Sequence, residues 1–226
     1  MDSIYDNADK ISKMVKEGKH RKAIGDMWEE IGNLQLDFLK NNGLKPSHFL
    51  LDVGCGSLRG GVRFIEYLES GHYFGIDINQ SLLDSGYEVE LKTVPGLTEK
   101  LPRTNLACVA DFDASGFGQK FDFAIAQSVF SHLTFNRIRL CFENLQAVIA
   151  GGGKFFATYF HLPDDQPSGP PLVHSPGGIT TTGCANPYHY RVDDFQHAIK
   201  RLPWVLEDAV EWNHPRAQRM LIFTRT

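Results

Sequence analysis

Several things are scarce in this chain, and each scarcity removes a class of function. No apolar run approaches the ~20 residues needed to span a bilayer, so no membrane partner is expected. The start, Met1-Asp2-Ser3-Ile4-Tyr5-Asp6, is acidic and lacks the apolar core of a secretion signal, so a cytoplasmic protein is expected. There is no long basic run, and the formal net charge is −4. That argues against a general nucleic-acid or membrane-surface binder, and no nucleic-acid partner is expected. The four cysteines, Cys55, Cys108, Cys141 and Cys184, are scattered without a C-x-x-C pair. Neither a zinc knuckle nor a disulfide framework follows. Carboxylates are not clustered either: Asp164-Asp165 is an isolated pair, so no metal site is expected. Internal repeats and low-complexity tails are absent.

What is present is organised around residues 49–61. Phe49-Leu50-Leu51-Asp52-Val53 is a short apolar run of the kind a buried parallel strand needs. Gly54-Cys55-Gly56 breaks it, and Val62, Phe64, Ile65 and Leu68 resume at helical spacing. The grammar is strand, tight glycine turn, helix. Gly54 and Gly56 let the backbone approach a ligand closely. A second strand, His72 to Asp77, ends in a carboxylate able to accept from the hydroxyls of a ribose. A dinucleotide site wants G-x-G-x-x-G, but Arg59 stands at the third glycine position. The D-x-G-x-G form from Asp52 to Gly56 instead resembles motif I of the class I S-adenosylmethionine-dependent methyltransferases. Leu58 departs from that family, which often has a further glycine there. Cys55 reads as a small packing residue in the turn.

The rest of the chain fits an α/β fold. Ile11, Met14 and Val15 suggest a basic amphipathic helix, and Met27, Ile31, Leu34 and Phe38 a second one ending near Asn41-Asn42-Gly43. Residues 1–46 are thus expected to form a helical cap. Its second helix either covers the cofactor cleft, with Trp28 and Gln35 facing an acceptor, or acts as a strut or dimer contact. Asn79 is placed to cap a helix carrying Leu82, Leu83, Tyr87 and Leu91. Leu106 to Val109 and Phe121 to Ala126 read as strands three and four. Thr134 is placed to cap a helix running to Ile149, which Gly151-Gly152-Gly153 would end before a fifth strand, Lys154 to Tyr159. Residues 161–190 are rich in proline, glycine, serine and threonine, as expected of a long active-site loop. A helix from about Asp193 to Leu202 and strands near Val205–Trp212 and Arg219–Thr224 close the chain.

The resemblance implies one methyltransferase domain over residues 1–226. Its Rossmann-like, mostly parallel seven-stranded sheet would carry helices on both faces and an antiparallel terminal strand. It implies S-adenosyl-L-methionine as cofactor, with Asp77 on its ribose, Asp111 and Phe112 at its adenine, and Asp52, Gly54, Cys55, Gly56, Arg59, Ile78 and Gln127 around the remainder. Methyl transfer to a hydroxyl needs a base, and histidine titrates nearest neutrality. His132 follows strand four and His161 follows strand five, where ligands of open α/β sheets bind. Tyr188, His189 and Tyr190 on the long loop are expected to meet the substrate. The expected reaction is methylation of a small-molecule hydroxyl. A small amine acceptor and a non-catalytic binding module remain alternatives, and homodimerisation is left open.

Overall fold

The computed structural model describes residues 4–226, so Met1, Asp2 and Ser3, the start of the expected cap, lie outside the described residues. Among the described residues, ten strands and eight α-helices follow one another. The helices are α1 (Ala8–Lys16), α2 (His20–Ala23), α3 (Trp28–Asn41), α4 (Gly61–Tyr67), α5 (Gln80–Ser85), α6 (Leu97–Lys100), α7 (Phe135–Leu145) and α8 (Val192–Ala198). The strands are β1 (Leu50–Val53), β2 (Tyr73–Asp77), β3 (Leu106–Cys108), β4 (Phe121–Ala126), β5 (Ile149–His161), β6 (Leu172–His174), β7 (Ile179–Thr181), β8 (His189–Tyr190), β9 (Trp204–Val210) and β10 (Gln218–Arg225). No helix among the described residues is long and apolar enough to cross a membrane.

The main sheet runs β3-β2-β1-β4-β5-β10-β9, the seven strands expected, with β8 paired to the end of β5 as an eighth. β3 through β5 are parallel, and β10 is antiparallel to both β5 and β9. The chain winds outward from β1 through β2 to β3, then crosses back to β4 on the other side of β1. That reversal opens a crevice above the carboxyl ends of β1 and β4.

Alternation along the strands fills two cores, because successive side chains leave opposite faces of a sheet. Phe155, Leu221 and Phe223 pack with Phe142, Phe195 and Trp204 under α7 and α8. Phe156, Met220 and Ile222 pack with Leu39, Phe64 and Trp212 under α3 and α4. Burying a phenylalanine or leucine stabilises the fold by about 1.5–3 kcal/mol, and both layers depend on these.

Several local readings change, and Thr134 precedes α7 without a side-chain cap bond. The glycine triplet lies inside β5, which begins at Ile149, and α7 ends earlier, at Leu145. The strand accommodates these glycines with a register shift opposite Phe121 and Phe123. Residues 161–190 hold the β6–β7 hairpin and β8 rather than loop alone. Asn79 does not cap α5 through its side chain; its Nδ2 donates to the carbonyl of Tyr5.

Candidate functional site

A cavity of about 420 Å³ opens above the carboxyl ends of β1, β2 and β4. Its floor is the glycine turn. Gly54 has φ +74°, and a Cβ there would stand 2.6 Å from Val129 Cγ2. Gly56 has φ +56°, and its Cβ would stand 2.9 Å from Ile24 Cγ2. Both the left-handed backbone and the close neighbours demand glycine. The turn is tied to β2: Gly56 N–H donates to Asp77 Oδ2 at 2.9 Å, and Asn79 N–H donates to Oδ1 at 2.8 Å. Each carboxylate oxygen keeps a further lone pair. Burial raises the Asp77 pKa, and the backbone N–H groups offset part of that rise.

Two more buried charges face this end. Asp52 accepts from the Tyr73 hydroxyl at 2.8 Å, and burial pushes its pKa up to about 7. Arg59 is 7 % exposed. It donates to the carbonyls of Ile24 at 3.1 Å and Asp26 at 2.8 Å, and to Gln127 Oε1 at 2.6 Å. Its Nε has no hydrogen-bond partner, and no carboxylate among the described residues forms an ion pair with it. Burial lowers its pKa to about 10, so it remains a cation at neutral pH. Because Arg59 only donates, Gln127 must present oxygen to it, which directs Gln127 Nε2 to Ser128 Oγ at 2.8 Å.

At the other end, Phe112 is held at φ +67° with the Arg137 guanidinium 5.2 Å from its ring centroid. Between the two ends stand Tyr5, His132, Asn186 and Tyr188. His132 Nδ1 lies 2.8 Å from Asn186 Oδ1, and Tyr5 meets the imidazole edge-on at 5.0 Å. Burial lowers the His132 pKa, so the ring is neutral at pH 7. Tyr188 N–H donates to the Ser131 carbonyl at 2.7 Å, tying the 182–190 segment to the turn that carries His132.

The structure gathers Gln35, Asp52, Gly54, Cys55, Gly56, Arg59, Asp77, Ile78, Phe112, Gln127, His132 and Tyr188 around one cavity. It leaves five others out. Asp111 is exposed, and its Oδ1 accepts from Asp113 N–H in a local turn, because Phe112 rather than the acid turns inward. His161 lies in a second cavity with His174 and His214, where the last residue of β5 has passed the crevice. Trp28 lies under the Arg21 guanidinium, 4.4 Å away, about two turns along α3 from Gln35 and outside the cavity lining. His189 is buried between Thr181 Oγ1 at 2.8 Å and the Ser168 carbonyl at 2.9 Å. Tyr190 donates to the Leu133 carbonyl at 2.6 Å and packs on Phe195. Helix α3 is chiefly a strut, with Phe38 edge-on to Phe156 and Trp212, and only its Gln35 reaches the cavity. The cover comes from Tyr5, Asp6 and Ile24 instead. Sequence reasoning missed these three, Asn186 and Arg137. The Asn-Pro turn two residues before Tyr188 was the available signal for Asn186. Nothing local marked the others.

Known proteins share this fold. Residues 51–155 match the methyltransferase domain family. The yeast Saccharomyces cerevisiae 18S rRNA (guanine(1575)-N(7))-methyltransferase is 32% identical over 133 residues. That match takes in 54% of this chain and 44% of the yeast protein, so the chain spans less than half of that relative's length. Magnesium protoporphyrin IX methyltransferase from Synechocystis PCC 6803, solved with S-adenosylmethionine, superposes with a TM-score of 0.65 at 12% identity, covering 100% of both chains. The glycopeptide N-methyltransferase MtfA, also with S-adenosylmethionine, gives 0.65 at 11% identity, covering 86% of this chain and 94% of that one. At those identities the superpositions speak for the fold alone. Residues 51–155 thus match a methyltransferase domain, and the chain has the fold of methyltransferases solved with S-adenosylmethionine.

Proposed function

We propose that this protein transfers a methyl group from S-adenosylmethionine to a hydroxyl of a small molecule, held between Tyr5, His132, Asn186 and Tyr188. The cavity's volume falls within the ~300–1,000 Å³ range of small-molecule sites. The donor set fits the cofactor. Arg59, a buried cation lacking a carboxylate partner, suits the methionyl carboxylate. Asp52 suits the ammonium group, Asp77 the ribose hydroxyls, and Ile78 and Phe112 the adenine. When bound, S-adenosylmethionine supplies a methyl carbon activated by its sulfonium.

The single observation that carries the hydroxyl reading is His132: a neutral imidazole on the cavity wall whose Nδ1 is taken by Asn186 and whose Nε2 forms no hydrogen bond among the described residues. Such a nitrogen can take the proton of an acceptor hydroxyl. Tyr5 and Tyr188 would keep water from that nitrogen. Incubation with methyl-labelled S-adenosylmethionine and a panel of phenols, alcohols and amines tests the reading. Label in hydroxyl-bearing compounds, lost in His132→Ala, supports it. Label in amines alone, with His132→Ala unimpaired, overturns it in favour of an amine acceptor. Binding of S-adenosylmethionine without any transfer would make the chain a binding module.

A second reading, an RNA base as acceptor, is favoured by the yeast relative and by one surface. Lys10, Lys13, Lys16 and Lys22 are exposed and form no ion pair among the described residues. An RNA acceptor would show affinity that falls steeply with salt; a small-molecule acceptor would not.

A further inference from the structure

We infer that Asn186 is a positioning residue, which holds His132 as the Nδ1–H tautomer and so leaves Nε2 as the bare, basic nitrogen toward the cavity. The inference rests on the proposed role of His132. Its argument begins with the two unlike ends of a carboxamide. Asn186 approaches His132 twice: one end meets ring Nδ1 at 2.8 Å, and the other meets the backbone carbonyl of His132 at 3.4 Å. A carbonyl oxygen only accepts. The end facing it must therefore be the NH2 group, since the opposite orientation would set oxygen against oxygen. The longer contact contributes little energy, but it decides which way round the amide sits. Oδ1 is then left for Nδ1, and an oxygen there can only accept, so Nδ1 must carry the proton. A neutral imidazole has one N–H, and Nε2 is consequently unprotonated.

The loop is built to deliver Asn186 in that pose. Thr182 Oγ1 accepts from Ala185 N–H at 2.8 Å and from Cys184 N–H at 3.3 Å, closing a turn immediately before Asn186. On the other side, Tyr188 N–H and the Tyr190 hydroxyl both bond to carbonyls of the segment carrying His132, those of Ser131 and Leu133. Asn186 is bracketed by contacts to the segment it orients. Burial of the imidazole adds to this, because it favours the neutral ring, for which the choice of tautomer matters. The ionisable neighbours are Tyr5, edge-on to the ring, and Asp6, whose charge acts to raise the histidine pKa.

The test reads the proton directly, on the full chain, without cofactor or acceptor. Two-bond ¹⁵N–¹H correlation spectra of ¹⁵N-histidine protein are recorded well above the pKa of histidine, and His132 is assigned by the signal missing in His132→Gln. The wild type should show a pyrrole-type Nδ1 and a pyridine-type Nε2. Asn186→Ala should turn the majority to the Nε2–H form that an unconstrained histidine side chain favours. Asn186→Asp should keep Nδ1–H and raise the titration midpoint of His132, because a carboxylate stabilises the imidazolium. A wild type in the Nε2–H form, or an Asn186→Ala protein with unchanged tautomer, would overturn the inference. If Asn186→Ala fails to fold by circular dichroism, the Asn186→Asp midpoint decides, and no rise overturns it. Failure of methyl transfer would leave this result standing, so the two readings fail separately.

Discussion

The Tyr73 hydroxyl on β2 donates to Asp52 Oδ2 on β1 across 2.8 Å, beneath the glycine turn. Burial raises both pKa values, and Tyr73 stays protonated while Asp52 titrates. The single hydrogen bond does not compensate for removing the carboxylate from water.

A pH dependence follows. The folded pKa of Asp52, about 7, lies above its ordinary value of 3.8. Between those two values the folded state binds the proton more tightly than the unfolded state. The stability linked to this group is therefore full below pH ~4 and is lost as pH rises through about 7, by roughly 4 kcal/mol in all. Thermal melts of wild type and Asp52→Asn from acid to neutral pH should diverge, with the substitution gaining relative stability toward neutrality. Parallel curves would rule this out.

Removing Asp77 should weaken the cofactor without unfolding the chain. Losing a charged acceptor costs roughly 2–4 kcal/mol of binding, so Asp77→Ala should raise the dissociation constant for S-adenosylmethionine well over tenfold by calorimetry. The variant should still melt cooperatively, because Gly56 and Asn79 lose only one backbone contact each.

Arg59 can be tested by changing the ligand as well as the protein. Arg59→Met should weaken S-adenosylmethionine by roughly 1.5–3 kcal/mol, the range for a charge-assisted hydrogen bond. Decarboxylated S-adenosylmethionine lacks the proposed partner, so its affinity should change little. Equal losses for both ligands would place the carboxylate elsewhere.

Gly54→Ala faces two separate penalties. The left-handed backbone costs a side chain about 1–2 kcal/mol, and the new methyl meets Val129 Cγ2 at 2.6 Å. Adding Val129→Ala should recover only the steric part. A double-mutant cycle in urea should thus show a positive coupling between the two sites, and additive losses would refute the contact.

Much of the site was legible because it is local. The strand, the glycine turn and the acid at the end of β2 each announce themselves within a dozen residues, and all of them line the cavity. Asp111 and Phe112 show where that stops. Adjacent residues point opposite ways, and which one faces inward depends on Phe112 taking φ +67°, a conformation side chains rarely signal. His161 lies outside this cavity for a related reason. Strand β5 runs beyond its parallel neighbour β4, and no pattern in the sequence reports that overhang. Tyr5 and Ile24 reach the cavity only through long-range contacts, so their own neighbourhoods are uninformative.

The way the cover is fastened bears on how freely its sequence can drift. Arg59 grips the carbonyls of Ile24 and Asp26, Arg216 that of Gly25, and Asn79 that of Tyr5. Each grip falls on a main-chain atom that every amino acid possesses. Side chains add to these grips: His20 and Arg21 bond Glu90, Ile11 and Ala23 pack with Leu82, and Ile24 lies against Gly56. A lineage, or an engineer, can therefore change those residues of the segment whose contribution is only a main-chain carbonyl, such as Asp26 in its grip by Arg59, while the clasp stays shut.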